Sequence, residues 1–139
     1  MEHPSVFPSL RYADAAAAIE LIVEAFGATR HAVHARPDGA IVHAELRLGN
    51  GMVMLGSAGA DRPPTAGRGE GIYVVVEDPD AHCKQARRAG ATIVREPHDT
   101  DYGSRDYAAT DNEGNHWYFG TYQPFAYEPA AEPAGAAAG

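Results

Sequence analysis

Asp14-Ala15-Ala16-Ala17-Ala18-Ile19-Glu20-Leu21-Ile22-Val23-Glu24-Ala25-Phe26-Gly27-Ala28-Thr29 decides the fold, because a second stretch of the chain follows the same plan. Asp14 carries the short oxygen-bearing side chain of a helix N-cap. Ala15, Ala18, Ile19, Ile22 and Phe26 then recur at i, i+3, i+4, i+7 and i+11, which places them on one helical face. Gly27 can take the left-handed conformation that ends a helix. Further along, Asp78 caps, Pro79 fits the first turn, and Gly90-Ala91-Thr92 closes a second helix, an offset of about 63 residues between the two Gly-Ala-Thr triplets. A repeat of this length suits a duplicated supersecondary module and is too long for a solenoid unit.

Strand-like segments surround both helices. Val6–Tyr12 precedes the first and the β-branched Ile72–Val76 precedes the second. Three further candidates follow each helix: 29–36, 40–48 and 52–57, then 92–96, 105–111 and 116–122. Asp38-Gly39, Asn50-Gly51 and Glu113-Gly114 mark turns, since glycine tolerates the positive φ of tight hairpins. The order is therefore βαβββ twice, an α+β domain over residues 1–122 with modules 6–57 and 71–122 and a Gly/Pro-rich linker at 58–70. Two such modules with their sheets side by side leave a cleft between them, where chemistry is expected. The tail at 123–139, rich in Pro, Ala and Gly, has the composition of a disordered terminus.

With 139 residues the chain can bury one real core. Its formal net charge of −8 gives no basic footprint for nucleic acid or for an anionic membrane surface. The lone Cys83 excludes an intrachain disulfide and a multi-thiolate metal site, and its place on the second helix predicts a buried, inert thiol. Glu2, Pro4 and Pro8 interrupt the N-terminus, and no apolar run approaches membrane-spanning length, so a soluble cytoplasmic protein is expected. No Ser-His-Asp order, phosphate loop or Cys-x-x-Cys supports nucleophilic hydrolysis or nucleotide binding.

The paired βαβββ modules, the segment Ile72-Tyr73-Val74-Val75-Val76-Glu77-Asp78-Pro79-Asp80, and above all Asp111-Asn112-Glu113-Gly114-Asn115-His116-Trp117-Tyr118-Phe119 resemble the vicinal oxygen chelate superfamily, the glyoxalase, bleomycin-resistance and extradiol-dioxygenase group. The resemblance spans about Val6 to Tyr122. It implies an open, eight-stranded mixed sheet whose concave face encloses a ligand, commonly in a homodimer. The metal-dependent enzymes of that family draw His and Glu ligands from the first and last strands of each module. Carried over, those four places fall on Phe7, Met54, Gly71 and Tyr118, a set that lacks the converging N and O donors of a Zn or Fe site. No metal and no cofactor is therefore expected, and the resemblance to the metal-free, drug-binding branch is unaffected.

Strand alternation assigns the faces. Val42, Ala44, Leu46 and Leu48 are uniformly apolar and are predicted to pack beneath the helix, so His43, Glu45 and Arg47 point toward the cleft or solvent. The same parity puts Phe7, Ser9, Arg11, Met52, Met54, Tyr73, Val75, His116 and Tyr118 on the inner face, and Trp117 in the core. Aromatic planes and thioethers beside a few polar groups make an adaptable, partly apolar pocket for a small, partly aromatic organic molecule. Arg105, between tyrosines, has two readings: a clamp for a ligand carboxylate or phosphate, or a loop brace through Asp101 or Asp106. The ligand-binding candidates are thus Phe7, Arg11, His43, Glu45, Met54, Tyr73, Arg105, His116 and Tyr118. The rival reading is an enzyme, either a glyoxalase-like lyase, isomerase or dioxygenase with a metal held by His43, Glu45 and His116, or a metal-free catalyst using His43 with Glu45 as acid and base, and a third is a structural or regulatory module with a vestigial cleft. The remaining histidines, His31 and His34 among them, read as scattered surface residues.

Overall fold

The computed structural model describes residues 3–66 and 71–126. Strand β1 (Ser9–Tyr12) leads into helix α1 (Ala15–Phe26), followed by β2 (Thr29–Ala35), β3 (Ile41–Leu48) and β4 (Gly51–Ser57). The second module repeats this as β5 (Ile72–Val75), α2 (Pro79–Arg88), β6 (Thr92–Asp99), β7 (Arg105–Thr110) and β8 (His116–Gly120). A short 3-10 turn at Pro124–Ala126 follows, inside the stretch whose composition suggested disorder, and residues 127–139 lie outside the described ones. The eight strands form two four-stranded mixed sheets, ordered β1-β4-β3-β2 and β5-β8-β7-β6. In each, the first strand pairs parallel to the fourth and the rest pair antiparallel, which makes the modules copies of one α+β design.

Both helices begin as the sequence dictates. The Asp14 carboxylate accepts from the Ala17 amide at 3.1 Å, and that of Asp78 accepts from the Ala81 amide at 3.1 Å. Gly27 ends α1 at φ 83°, which a side-chain-bearing residue adopts only under strain. The predicted stripe of α1 is buried against sheet one, and its last residue, Phe26, reaches across to Trp117 and Phe119 of β8 at ring separations of 5.1 and 4.9 Å. From α2, His82 donates through Nε2 to the Phe26 carbonyl at 2.9 Å and accepts at Nδ1 from the Tyr107 hydroxyl. Both modules therefore contribute to one core on the helix side, with Cys83 buried in it. No helix among the described residues is long and apolar enough to cross a membrane.

Local departures from the sequence reading have local causes. Val42 is 62% exposed and Ile41 is buried in its place, because the β2–β3 register slips between the pairs His34↔His43 and Ala35↔Ile41 and reverses the alternation there. Ala44, Leu46 and Leu48 keep the predicted side. The β3–β4 turn centres on Gly49-Asn50, with Gly49 at φ 60° and Gly51 already paired to Leu48, so it sits one residue earlier than Asn50-Gly51. β1 is shorter than the predicted 6–12 and β6 runs past Pro97, which an edge strand tolerates.

The segment Asp111–Trp117 is a clasp between modules. The buried Asp111 carboxylate accepts from the Tyr12 hydroxyl at 2.6 Å and from Trp117 Nε1 at 3.0 Å, and its other oxygen takes the amides of Glu113 and Asn115. Glu113 then reaches module one, accepting from the Ala13 and Asp14 amides at 2.8 and 2.6 Å. A carboxylate from one module thus serves the positive end of the other module's helix.

Candidate functional site on the inner sheet faces

Helices cover one face of each sheet, and the opposite, inner faces carry the side chains singled out above. On module one, His43 Nε2 donates to Glu45 Oε2 at 2.8 Å, a pair set up by the i, i+2 spacing along β3. That bond holds the Glu45 carboxyl below its usual range. The other Glu45 oxygen lies 3.8 Å from His31 Nε2 on the neighbouring strand, and His31 Nδ1 accepts from Arg47 Nη2 at 2.9 Å. The ring of His34 lies nearly parallel to that of His43, centroids 6.5 Å apart. His31 and His34, read from the sequence as scattered, thus belong to one array. The missing information was the β2–β3 register, which places His34 opposite His43 and Ala32 opposite Glu45.

Beside this array a cleft of about 410 Å³ opens between the N-terminal segment and the β3–β4 turn, lined by His3, Phe7, His31, Arg47, Asn50 and Met52 among others. Met54 is half-buried on β4, paired with Glu45 on one side and Ser9 on the other. Arg11 is turned to structural use: its guanidinium donates to the Leu10 carbonyl at 3.3 Å, and its backbone is tied to Thr65.

On module two the centre is Asp106, which the sequence offered only as a brace for Arg105. Its carboxylate accepts from the hydroxyls of Ser104 at 3.1 Å, Tyr102 at 3.3 Å and Tyr73 at 3.4 Å. Tyr73 also accepts from the Tyr122 amide at 3.0 Å, and burial, reinforced by Asp106, pushes its phenol up to about 12. The cluster fits because position 120 is glycine: a Cβ there would lie 2.0 Å from Asp106 Oδ1 and 2.5 Å from the Tyr73 oxygen. Asp106 and Tyr118 line a second cleft, of about 380 Å³, together with Arg95, His98, Asp101 and Tyr102. His116 is exposed, its ring near-parallel to that of Tyr118 with centroids 6.3 Å apart. A groove of about 630 Å³ between the modules takes in Met52, Tyr73 and Val75.

Arg105 points elsewhere. Its guanidinium meets Asp80 of α2 through Nε at 2.7 Å and Nη2 at 2.9 Å, and Asp99 through Nη1 at 3.0 Å. It is a brace, with partners other than the Asp101 or Asp106 expected, because α2 and β6 flank it in space while the loop residues flank it only in sequence.

The places that hold metal in the family's enzymes do not fit one here. A side chain at position 71 would collide with β8, since a Cβ on Gly71 would lie 1.9 Å from the His116 carbonyl oxygen. Phe7 and Met54 bring no hard donor. The alternative set is not assembled within the chain either: His43 and Glu45 lie on β3 and His116 on β8 of the other sheet, and among the described residues no three His, Cys, Asp or Glu side chains are placed to hold a metal ion.

Comparison with known proteins agrees with this architecture. Uncharacterized protein Mb0911c of Mycobacterium bovis is 36% identical over 125 residues, covering 84% of this chain and 82% of its own. TioX from Micromonospora sp. ML1 superposes with a TM-score of 0.69 at 32% identity, over 84% of this chain and 94% of TioX. Glyoxalase I from Zea mays, at 21% identity, shares the fold with a TM-score of 0.69, this chain spanning 43% of it. Residues 4–119 match the sequence model of the Glyoxalase/Bleomycin resistance protein/Dioxygenase superfamily, and the chain belongs to that superfamily.

Proposed function

We propose that the protein binds a mid-sized, partly aromatic organic molecule, such as an antibiotic or other natural product, on its inner sheet faces, and holds it without a metal and without converting it. The observation that carries this reading is the uncovered aromatic and thioether surface beside open clefts: Phe7 is 39% and Tyr73 38% exposed, with half-buried Met52, Met54 and Tyr118 nearby. Such side chains give a planar ligand contact area at small entropic cost, and Met adapts to its outline. The protein acts in the cytoplasm as a homodimer. In it, the first module of one chain and the second module of its partner enclose the ligand from two sides, joining walls that lie along separate clefts of a single chain.

A thermal-shift panel of aromatic natural products, glycopeptide antibiotics included, tests the reading. Hits should be stabilising, and Tyr118→Ala or Met54→Ala should weaken them by about 1–3 kcal/mol, the scale of a buried side-chain contact. Hits that survive both substitutions unchanged would place the ligand elsewhere. The His43–Glu45 pair at 2.8 Å supports a second reading, an acid-base catalyst in which Glu45 orients His43. Consumption of a hit by the wild type, with His43→Ala leaving it intact, would establish that reading instead.

A further inference from the structure

The arginines of this chain divide by partner. Arg30, Arg36, Arg87 and Arg105 are paired to Glu20, Asp38, Glu96 and Asp80 with Asp99. Arg47, like Arg11 and Arg88, has no carboxylate partner among the described residues; it is set apart by lining the 410 Å³ cleft and by donating to an imidazole, His31 Nδ1, at 2.9 Å. The contact has a support behind it, because Arg47 fixes the His31 tautomer with its proton on Nε2, and that proton faces the Glu45 oxygen 3.8 Å away. The guanidinium lines the 410 Å³ cleft, and the single bond to His31 leaves most of its five N–H donors uncommitted. Pro4, Phe7 and Met52 give the cleft its apolar part. Although the chain has 19 Asp and Glu residues against 11 Lys and Arg, none of the described residues lining this cleft is acidic, and His3 is among them.

We infer that the module-one cleft is an anion subsite, in which Arg47, positioned by His31, takes the carboxylate or phenolate of a planar aromatic ligand whose ring lies between Phe7 and Met52. Arg47 assumes the clamping role that the sequence suggested for Arg105. The opposite character of the second cleft, with Asp101 and Asp106 on its wall, sets the orientation: the anionic end of the ligand lies toward module one.

The inference rests on the aromatic-binding reading above, and matched probes separate the two. 2-Naphthoate and its neutral amide, 2-naphthamide, are titrated calorimetrically into the full chain, into Arg47→Gln and into Arg47→Lys, with thermal melts confirming that the exposed substitutions leave the fold intact. The wild type should prefer the acid by roughly tenfold or more, the scale of one charge-assisted contact. Arg47→Gln should bind both probes equally, at the affinity of the amide, and Arg47→Lys should recover part of the preference. Equal binding of acid and amide by the wild type, or a preference that survives Arg47→Gln, overturns the anion subsite while leaving aromatic binding in place. Failure of both probes to bind the wild type overturns the subsite and the aromatic-binding reading together.

Discussion

Replacing Asp111 by alanine tests the clasp between the modules. The substitution removes the acceptor from two donors that have no access to water, the Tyr12 hydroxyl and Trp117 Nε1, both on residues with 0% exposure. A buried donor stripped of its partner costs about 1–3 kcal/mol, so the pair accounts for about 2–6 kcal/mol, while the turn amides of Glu113 and Asn115 sit near the surface and rehydrate. That is a large part of the 5–15 kcal/mol by which domains are ordinarily stable. Urea unfolding followed by both fluorescence and circular dichroism should show the midpoint falling with little change in slope. Asp111→Asn keeps one accepting oxygen and should cost less, and Tyr12→Phe, which removes one charge-assisted bond, should cost about 1.5–3 kcal/mol. The cycle is diagnostic: in the Asp111→Ala background Tyr12→Phe should cost almost nothing or stabilise, since the hydroxyl it removes is already orphaned. A loss under about 1 kcal/mol for Asp111→Ala, or additive effects in the double variant, would refute the clasp, because neither is compatible with buried donors depending on that carboxylate.

Other expectations follow from individual contacts. Burial holds the His82 imidazole below its ordinary 6.5, so below that pH the unfolded chain binds a proton that the folded chain resists; stability should fall as pH drops from about 7 to 5, and His82→Gln should flatten the profile in that window. Gly120→Ala should break the Asp106–Tyr73 cluster and cost about 1–3 kcal/mol in urea unfolding, the range of a forced overpacking, and ordinary stability in that variant would show the clash to be relieved elsewhere. Light scattering at micromolar concentration should give twice the chain mass, and a monomer would remove any site shared between two chains.

What the sequence made legible was whatever depends on near neighbours. Helix α1, its cap at Asp14 and its end at Gly27 follow from spacing alone, as does the inward placement of Trp117, because helical and strand periods are local. The misreadings concern partners distant along the chain. Glu113 looked like half of a turn and holds the two amides that lead into a helix about 100 residues away. Arg105 reads as a ligand clamp or a brace for its own loop, and it is held by Asp80 of α2 and Asp99 of β6. Val42 obeyed strict alternation until a slip in the pairing with β2 reversed it, and His31 entered the Glu45 array through that same pairing. No residue type announces a cross-strand register, so the polar row His43-Glu45-Arg47 could be placed on the right face without revealing that it leans on the next strand.

The clasp also breaks the symmetry of the repeat. Module two has room between β7 and β8 for Asp111 and Glu113, whereas the corresponding β3–β4 connection is the tight turn at Gly49-Asn50 and offers module two no counterpart. The two halves are therefore not interchangeable parts. A circular permutation that keeps both modules in one chain retains the Glu113 contact, but module one expressed by itself leaves the Ala13 and Asp14 amides at the entry to α1 without that acceptor, and a tandem of two first modules has no carboxylate to meet them. Duplication supplied two similar units, and the longer turn of the second has made the first dependent on it.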